Sequence, residues 1–469
     1  MESEISAAAS PRRLWGWAIF IAVAGVAARA TWYVHFKEDL PLRAGPDGDI
    51  YMGQAKAILN GSIGNPDATG LATVYREAFA PGYALFVAGL WLPLPRGDVF
   101  RGADYTLLVV FAVQWLLAGF TTLMTFALAR RVLFGWSALA PPVIVSLSIA
   151  LVDMPNMFAY ETLLAFLLTA TALLLVKAHD DPLPPGPLRY WQEPDPPRRA
   201  QWSATLLAGV TLSAALLVQP RLIVLLPFAA WWLWRAAAGR FAALFVVVAL
   251  VLPGAWMARN YSHFETFAPI SINPQASLYM DNVDPVGGTG YVPDAAPPQC
   301  SRSVLYEPDL KQHFEWGRCM QSAGFNEITS HPADSALAIP DRFAALFSVW
   351  NPAFARGTYS SDKWGYQNLP PASVRDDPTY ADALQIAAIV LMVLYVLMTL
   401  TGLYVLWLEG PGSVPRMIAL PVIVLPLVHV IYHAENRFRL PVLPLIAISI
   451  TLGVLAVWDA LTTSNGDKQ

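Results

Sequence analysis

The residues best suited to chemistry are a few charged side chains at the edges of apolar runs. Asp47-Gly48-Asp49 stands just after the first run, and Arg76, Tyr83, Glu161, Arg221, Arg259-Asn260, Arg437 and Arg439 stand beside later ones. Free aspartic acid titrates near pH ~3.9, so carboxylates of this type can accept a proton or hold a cation at neutral pH. Arginine stays charged and matches phosphate through its planar fork of donors. If these groups converge, the set suits proton removal from a hydroxyl next to a departing phosphate.

Each member also has a plainer role. Both aspartates precede a segment in which Tyr51, Ala55, Ile58 and Leu59 share a helical face and Gly61 ends the pattern. There they would complement a helix N-terminus, worth about 0.3–1 kcal/mol each. Glu161 and Arg221 open apolar runs, and a charge at a span end is ordinarily an interfacial anchor. Asp-x-Asp also matches a metal-binding pattern, but three residues recur by chance, so a divalent metal on Asp47 and Asp49 stays open. The chain has neither a histidine pair at i, i+4 nor a glycine-rich phosphate loop.

The elements that would position these groups are membrane helices. Hydrophobic residues make up 55% of the 469, and charged ones 14%, against about 25% in soluble domains. Mean hydropathy is +0.44. A net charge of −4 gives no electrostatic footprint for nucleic acid. Apolar runs occur at Leu14–Val34, Thr106–Ala129, Ala138–Val152, Thr162–Val176, Trp202–Val218, Leu222–Trp234, Phe241–Met257, Ala383–Leu408, Met417–Tyr432 and Leu440–Trp458. Phe79–Leu94 is also apolar but carries Pro81, Gly82 and Pro93.

If Phe79–Leu94 crossed the bilayer, Arg130-Arg131, Arg235–Arg240 and the loop from Lys177 to Arg199 would all lie outside. If it lies in the interface, all three become cytoplasmic, in line with the positive-inside tendency. The second arrangement predicts an all-α polytopic membrane protein, with about ten transmembrane helices and both termini cytoplasmic. Residues 1–257 form its first transmembrane module, with an external loop at 35–105 that holds juxtamembrane helices. A proline-rich cytoplasmic linker occupies 179–201. Residues 258–382 form a small external loop domain, and 383–469 the last helices and tail. Within the loop domain, Asp309–Ser322 and Ile339–Trp350 have helical patterns.

Cys300 and Cys319 are the two cysteines, which excludes a cysteine-based zinc or iron–sulfur centre. Both fall in the external loop, where a disulfide persists. It would close a loop of roughly 20 residues and contribute about 3 kcal/mol by chain entropy. Two free thiols are the alternative.

The order of motifs resembles the GT-C superfamily of polyprenyl-phosphate-sugar-dependent glycosyltransferases, in particular bacterial members akin to protein mannosyltransferases and the lipid A aminoarabinose transferase. The resemblance is carried by Asp47-Gly48-Asp49-Ile50-Tyr51, Tyr75-Arg76 with Pro81-Gly82-Tyr83, Tyr160-Glu161-Thr162, Arg259-Asn260-Tyr261 and Arg437-Phe438-Arg439-Leu440-Pro441. Asn273 to Gly290, with Asp281-Asn282, is similar to the substrate loop of such proteins. Relatives commonly show Arg-x-Pro-Gly-Tyr-Pro where this chain spaces Arg76 and Pro81 further apart, and Arg-Pro where it has Gln219-Pro220-Arg221.

The resemblance implies inverting transfer of a sugar from a polyprenyl-phosphate donor to a glycan, lipid or protein acceptor on the extracytoplasmic side. Asp47 or Asp49 would be the general base, and no cofactor is required apart from the open question of a metal. Tyr51, Arg76, Tyr83, Glu161, Arg221, Arg259, Asn260, Arg437 and Arg439 would bind substrate or phosphate. Membrane lipids are the remaining partners. A lipid-linked glycan flippase without transferase activity is the competing reading, because it too would use external arginines.

Overall fold

In hydrocarbon a backbone must satisfy its own N–H and C=O groups, so sustained apolar runs fold as helices. The computed structural model describes residues 10–36, 46–61, 79–101, 104–148, 155, 158–179, 202–265, 269–271, 273–283, 297–300, 310–347, 378–409, 412–432, 434 and 436–466. Arg76 and nearly all of the 179–201 linker lie outside them. The described helices begin with α1 (Pro11–Phe36), α2 (Pro46–Asn60), α3 (Gly82–Trp91), α4 (Arg96–Arg101), α5 (Asp104–Ala129), α6 (Ala140–Leu147), α7 (Glu161–His179) and α8 (Trp202–Val218). They continue with α9 (Leu225–Ala236), α10 (Gly239–Phe264), α11 (Asn273–Met280), α12 (Leu310–Ser330), α13 (Pro332–Leu337), α14 (Ile339–Phe347), α15 (Pro378–Leu408), α16 (Val414–Tyr432) and α17 (Leu443–Gly466). No strand occurs among the described residues.

Among the described residues, seven helices are long and apolar enough to cross a bilayer. They correspond to α1, α5, α7, α10, α15, α16 and α17 with the turn before it. The other three expected spans are shorter. α8 has 17 residues and covers about 26 Å at 1.5 Å per residue, close to the ~30 Å hydrocarbon thickness. α9 is preceded by the 3-10 turn Pro220–Val224, and α6 by the 3-10 turn Gly135–Leu139. Prolines explain both breaks. Pro141-Pro142 lie in the first turn of α6, and Pro220 opens the turn before α9, because a residue without an N–H starts a helix more readily than it continues one.

Phe79–Leu94 does not span. α3 has 10 residues, about 15 Å, which is half the hydrocarbon thickness. Its buried residues, Tyr83, Ala84, Val87, Ala88 and Trp91, fall on one face. The Trp91 indole donates to the Thr106 carbonyl at 2.9 Å, which ties α3 to the start of α5.

The start of α3 touches the end of α8. A Cβ on Gly82 would meet the backbone of Leu217 and Val218 at 2.5–2.6 Å, whereas one on Gly89 would meet nothing within 4 Å. Gly82→Ala is therefore expected to destabilise the protein by about 1–3 kcal/mol through overpacking. Gly89→Ala in the same helix is expected to be neutral or to stabilise by up to ~1 kcal/mol through helix propensity. Thermal unfolding of the two purified variants checks this, and equal midpoints would contradict it.

The described segments between α10 and α15 pack as a small cap. Cys300 and Cys319 form a disulfide, with Cα atoms 5.7 Å apart. Around it Ala276, Tyr279, Phe314, Trp316, Met320 and Ala323 bury an apolar cluster between α11 and α12. Helix α12 starts where its pattern predicts but continues to Ser330, and α14 is described over Ile339–Phe347. Arg342 holds the cap to the bundle. It is 3% exposed and donates to the carbonyls of Val430 at 3.2 Å and of Asp281, and to Asn282 Oδ1 at 3.0 Å. Burial lowers the pKa of Arg342, and the charge of Asp281 opposes that shift. Leu346 and Phe347 then pack on Val430, Ala434 and Phe438.

Candidate active site at one end of the bundle

Glu161 is the centre of the site. It begins α7 and is 1% exposed, and Arg437 Nε lies 3.9 Å from its Oε1. That separation is an ion pair rather than a hydrogen bond. Arg437 comes from the 3-10 turn Asn436–Val442, so the last two spans deliver it to the start of α7.

Phe438 brings a second arginine beside Arg437. The Arg437 guanidinium carbon lies 5.2 Å from its ring centroid, and that of Arg221 lies 5.8 Å away. The His429 imidazole stacks on the same ring at 4.7 Å. Among the described residues, two guanidiniums lie within cation–π range of one ring beside the buried carboxylate of Glu161, and their planar forks suit an anion. Arg221 is itself 8% exposed, so water screens it little.

An aromatic relay connects this cluster to the acidic helix. Gln219, just before Pro220-Arg221, donates from its amide to the Tyr160 hydroxyl at 3.0 Å. The Tyr51 ring of α2 meets Tyr160 at 6.1 Å and Tyr83 at 5.2 Å, both edge to face. Tyr83 is fully buried and donates to Gln114 Oε1 at 2.9 Å, and the Gln114 amide donates on to the Pro155 carbonyl at 3.0 Å. Burial pushes the Tyr83 phenol well above its ordinary pKa, and the charge of Glu161 adds to the rise while a backbone hydrogen bond from Ala159 opposes it. The phenol therefore stays a donor at neutral pH.

Helix α2 forms as its pattern predicts, with Tyr51 and Ala55 buried and Gly61 at φ 67° closing it. Asp47 and Asp49 occupy its first turn, where the helix dipole favours negative charge. The Asp49 side chain is exposed, and that of Asp47 lies outside the described residues.

Arg259 and Asn260 close α10 near the start of α3. Arg259 donates to Asn260 Oδ1 at 3.0 Å, and Asn260 donates to the Pro269 carbonyl at 3.2 Å. Trp256, under the Arg259 guanidinium at 5.0 Å, packs with Ala80, Leu217 and Ile270. Arg439 is placed differently from Arg437. Its guanidinium donates to the Leu346 carbonyl at 3.0 Å and sits over the Tyr395 ring at 5.3 Å, so it fastens α14 to the bundle and does not join the Glu161 cluster.

Gln114, Gln219, His429 and Arg342 escape a reading of the sequence. Gln114 and His429 leave a signal, since each is a polar side chain within an apolar run. Arg342 leaves none, because its partners are carbonyls distant in the chain. Among the described residues no three His, Cys, Asp or Glu side chains gather as a metal site would require.

No family model and no curated protein matches the chain. Among solved structures, the apo crystal structure of the Archaeoglobus fulgidus oligosaccharyltransferase aligns with 96% of this chain and 52% of that one, with a TM-score of 0.47 and 12% identity. The archaeal oligosaccharyltransferase AglB from the same organism, in complex with an inhibitory peptide and a dolichol-phosphate, aligns with 96% of this chain and 51% of that one, at a TM-score of 0.41 and 12% identity. The same enzyme tethered to an acceptor peptide aligns with 96% of this chain and 50% of that one, at a TM-score of 0.42 and 13% identity. The chain thus spans about half the length of the solved structures it matches. Its own helices establish what it is: an all-α polytopic membrane protein, with a buried glutamate paired to an arginine at one end of its bundle.

Proposed function

We propose that the chain is a membrane glycosyltransferase of the GT-C type, which moves a sugar from a polyprenyl-phosphate donor to an envelope glycan, lipid or protein on the extracytoplasmic face. The observation that carries the reading is convergence. The acidic helix α2, the start of α7, the turn at Arg221 and the turn at Arg437 meet through Tyr51, Tyr160 and Phe438 at one end of the bundle.

In this reading the carboxylate of Asp47 or Asp49 takes the proton of the acceptor hydroxyl as its oxygen bonds to the anomeric carbon. The bond from that carbon to the phosphate oxygen breaks from the opposite face, so the configuration inverts. Negative charge grows on the leaving polyprenyl phosphate, where Arg221 and Arg437 are the candidates to stabilise it. Much of the enzyme's contribution is then orientation of two bound reactants. No cofactor is needed for these steps, and a divalent ion, if used, would sit at the acidic pair. The site faces outward from the inner membrane, with both termini cytoplasmic.

The test is transfer by the purified full-length protein in liposomes. Given a set of polyprenyl-phosphate sugars and an envelope acceptor fraction, it should release free polyprenyl phosphate and form product in equal amounts. Movement of intact lipid-linked sugar across the bilayer without release of polyprenyl phosphate would establish the flippase reading instead.

A further inference from the structure

The end of the bundle away from Glu161 carries a second constellation of charges. Arg130 and Arg131 follow the C-terminus of α5, and Lys177 stands near the C-terminus of α7. Along α7, Lys177 is about 24 Å from Glu161 at 1.5 Å per residue. All three cations line one cleft of about 530 Å³ between α1, α5 and α7. Its walls are apolar, with Trp15, Phe120 and Phe166 among them, and none of the described residues that line it is a carboxylate.

Cations at span ends ordinarily anchor a helix in the interface or offset the negative end of its dipole. Neither role requires a cleft, or that two helices aim their charges into the same one. The length of the cleft points further. Phe120 and Arg130 both line it, which extends it about 15 Å along α5, the thickness of one hydrocarbon leaflet. Phe120 is 55% exposed, so this wall faces the bilayer. The volume falls within the ~300–1,000 Å³ of ordinary ligand sites. A free phosphate would use the cationic end alone and leave the apolar wall without a purpose.

We infer that this cleft binds an anionic phospholipid, with its phosphodiester among Arg130, Arg131 and Lys177 and an acyl chain against Phe120 and Phe166. The site is separate from the Glu161 cluster and does not depend on the transferase reading. It would couple retention of one lipid class to the packing of α1, α5 and α7.

Native mass spectrometry of the purified full-length protein tests it, with phosphatidylglycerol and phosphatidylcholine of the same chain length as probes. Each basic residue near a membrane surface contributes about a five-fold preference, so the wild type should retain phosphatidylglycerol roughly 100-fold more tightly. The triple variant Arg130→Gln, Arg131→Gln, Lys177→Gln should fall to the level of phosphatidylcholine. Ala127→Trp, which fills the cleft and keeps all three charges, should lose retention as well. Equal retention of the two lipids by the wild type overturns the inference, and so does unchanged retention in Ala127→Trp or in the triple variant. Displacement of the lipid by millimolar inorganic phosphate alone would show that the site takes phosphate and not lipid. If the triple variant does not fold, the wild-type ratio and Ala127→Trp decide.

Discussion

One of the two variants Asp47→Asn and Asp49→Asn is expected to lose sugar transfer by about 100- to 10,000-fold, and the other by tenfold or less. Asparagine keeps the shape of the side chain but cannot take a proton, so the loss measures general-base catalysis. The competing role for both residues is complementing the N-terminus of α2. That is worth about 0.3–1 kcal/mol, so it changes stability by at most roughly five-fold and leaves a slow catalytic step unexplained. Turnover in liposomes, measured beside thermal unfolding and the KM for donor, separates the two. Retention of near-wild-type turnover by both inserted variants would remove the base from the first loop.

Arg437→Gln is expected to lower kcat by about 100- to 1,000-fold, the range for loss of one preorganised donor to a developing anion. Its ion pair with the buried Glu161 offers a different explanation, because removing one partner of a buried pair strands the other charge. The double variant Glu161→Gln, Arg437→Gln distinguishes them. If Arg437 serves only to neutralise Glu161, removing both charges restores turnover. If its guanidinium holds the leaving phosphate, the double variant stays as slow as Arg437→Gln. Restored turnover is the outcome that would overturn the phosphate role.

The membrane class was legible from composition, and so were most of the helices, because period and length leave few alternatives for an apolar run. Charge placement also disposed of the apparent span at Phe79–Leu94: α3 is too short to cross. The same patterns predicted α2, with Gly61 as its stop, while for Cys300 and Cys319 the sequence set a disulfide against two free thiols, and the structure forms the disulfide. Hydropathy marked the apolar runs of α6 and α9 but not the 3-10 turns before them, since it does not register where proline restarts a helix.

The site was legible only as a set of candidates. The residue types at Glu161, Arg221, Arg259, Arg437 and Arg439 announce charges at span ends, and nothing in their spacing separates a ligand from an anchor. Arg437 and Arg439 show the limit most directly. Two positions apart in one turn, one meets Glu161 and the other the Leu346 carbonyl. By itself the sequence determined that the chain is helical, membrane-embedded and supplied with acids and arginines at its span ends. Tertiary structure alone decided which of them meet. Contacts such as Tyr51 with Tyr160, or Arg221 with Phe438, join segments separated by many residues, and packing of the helices sets those distances.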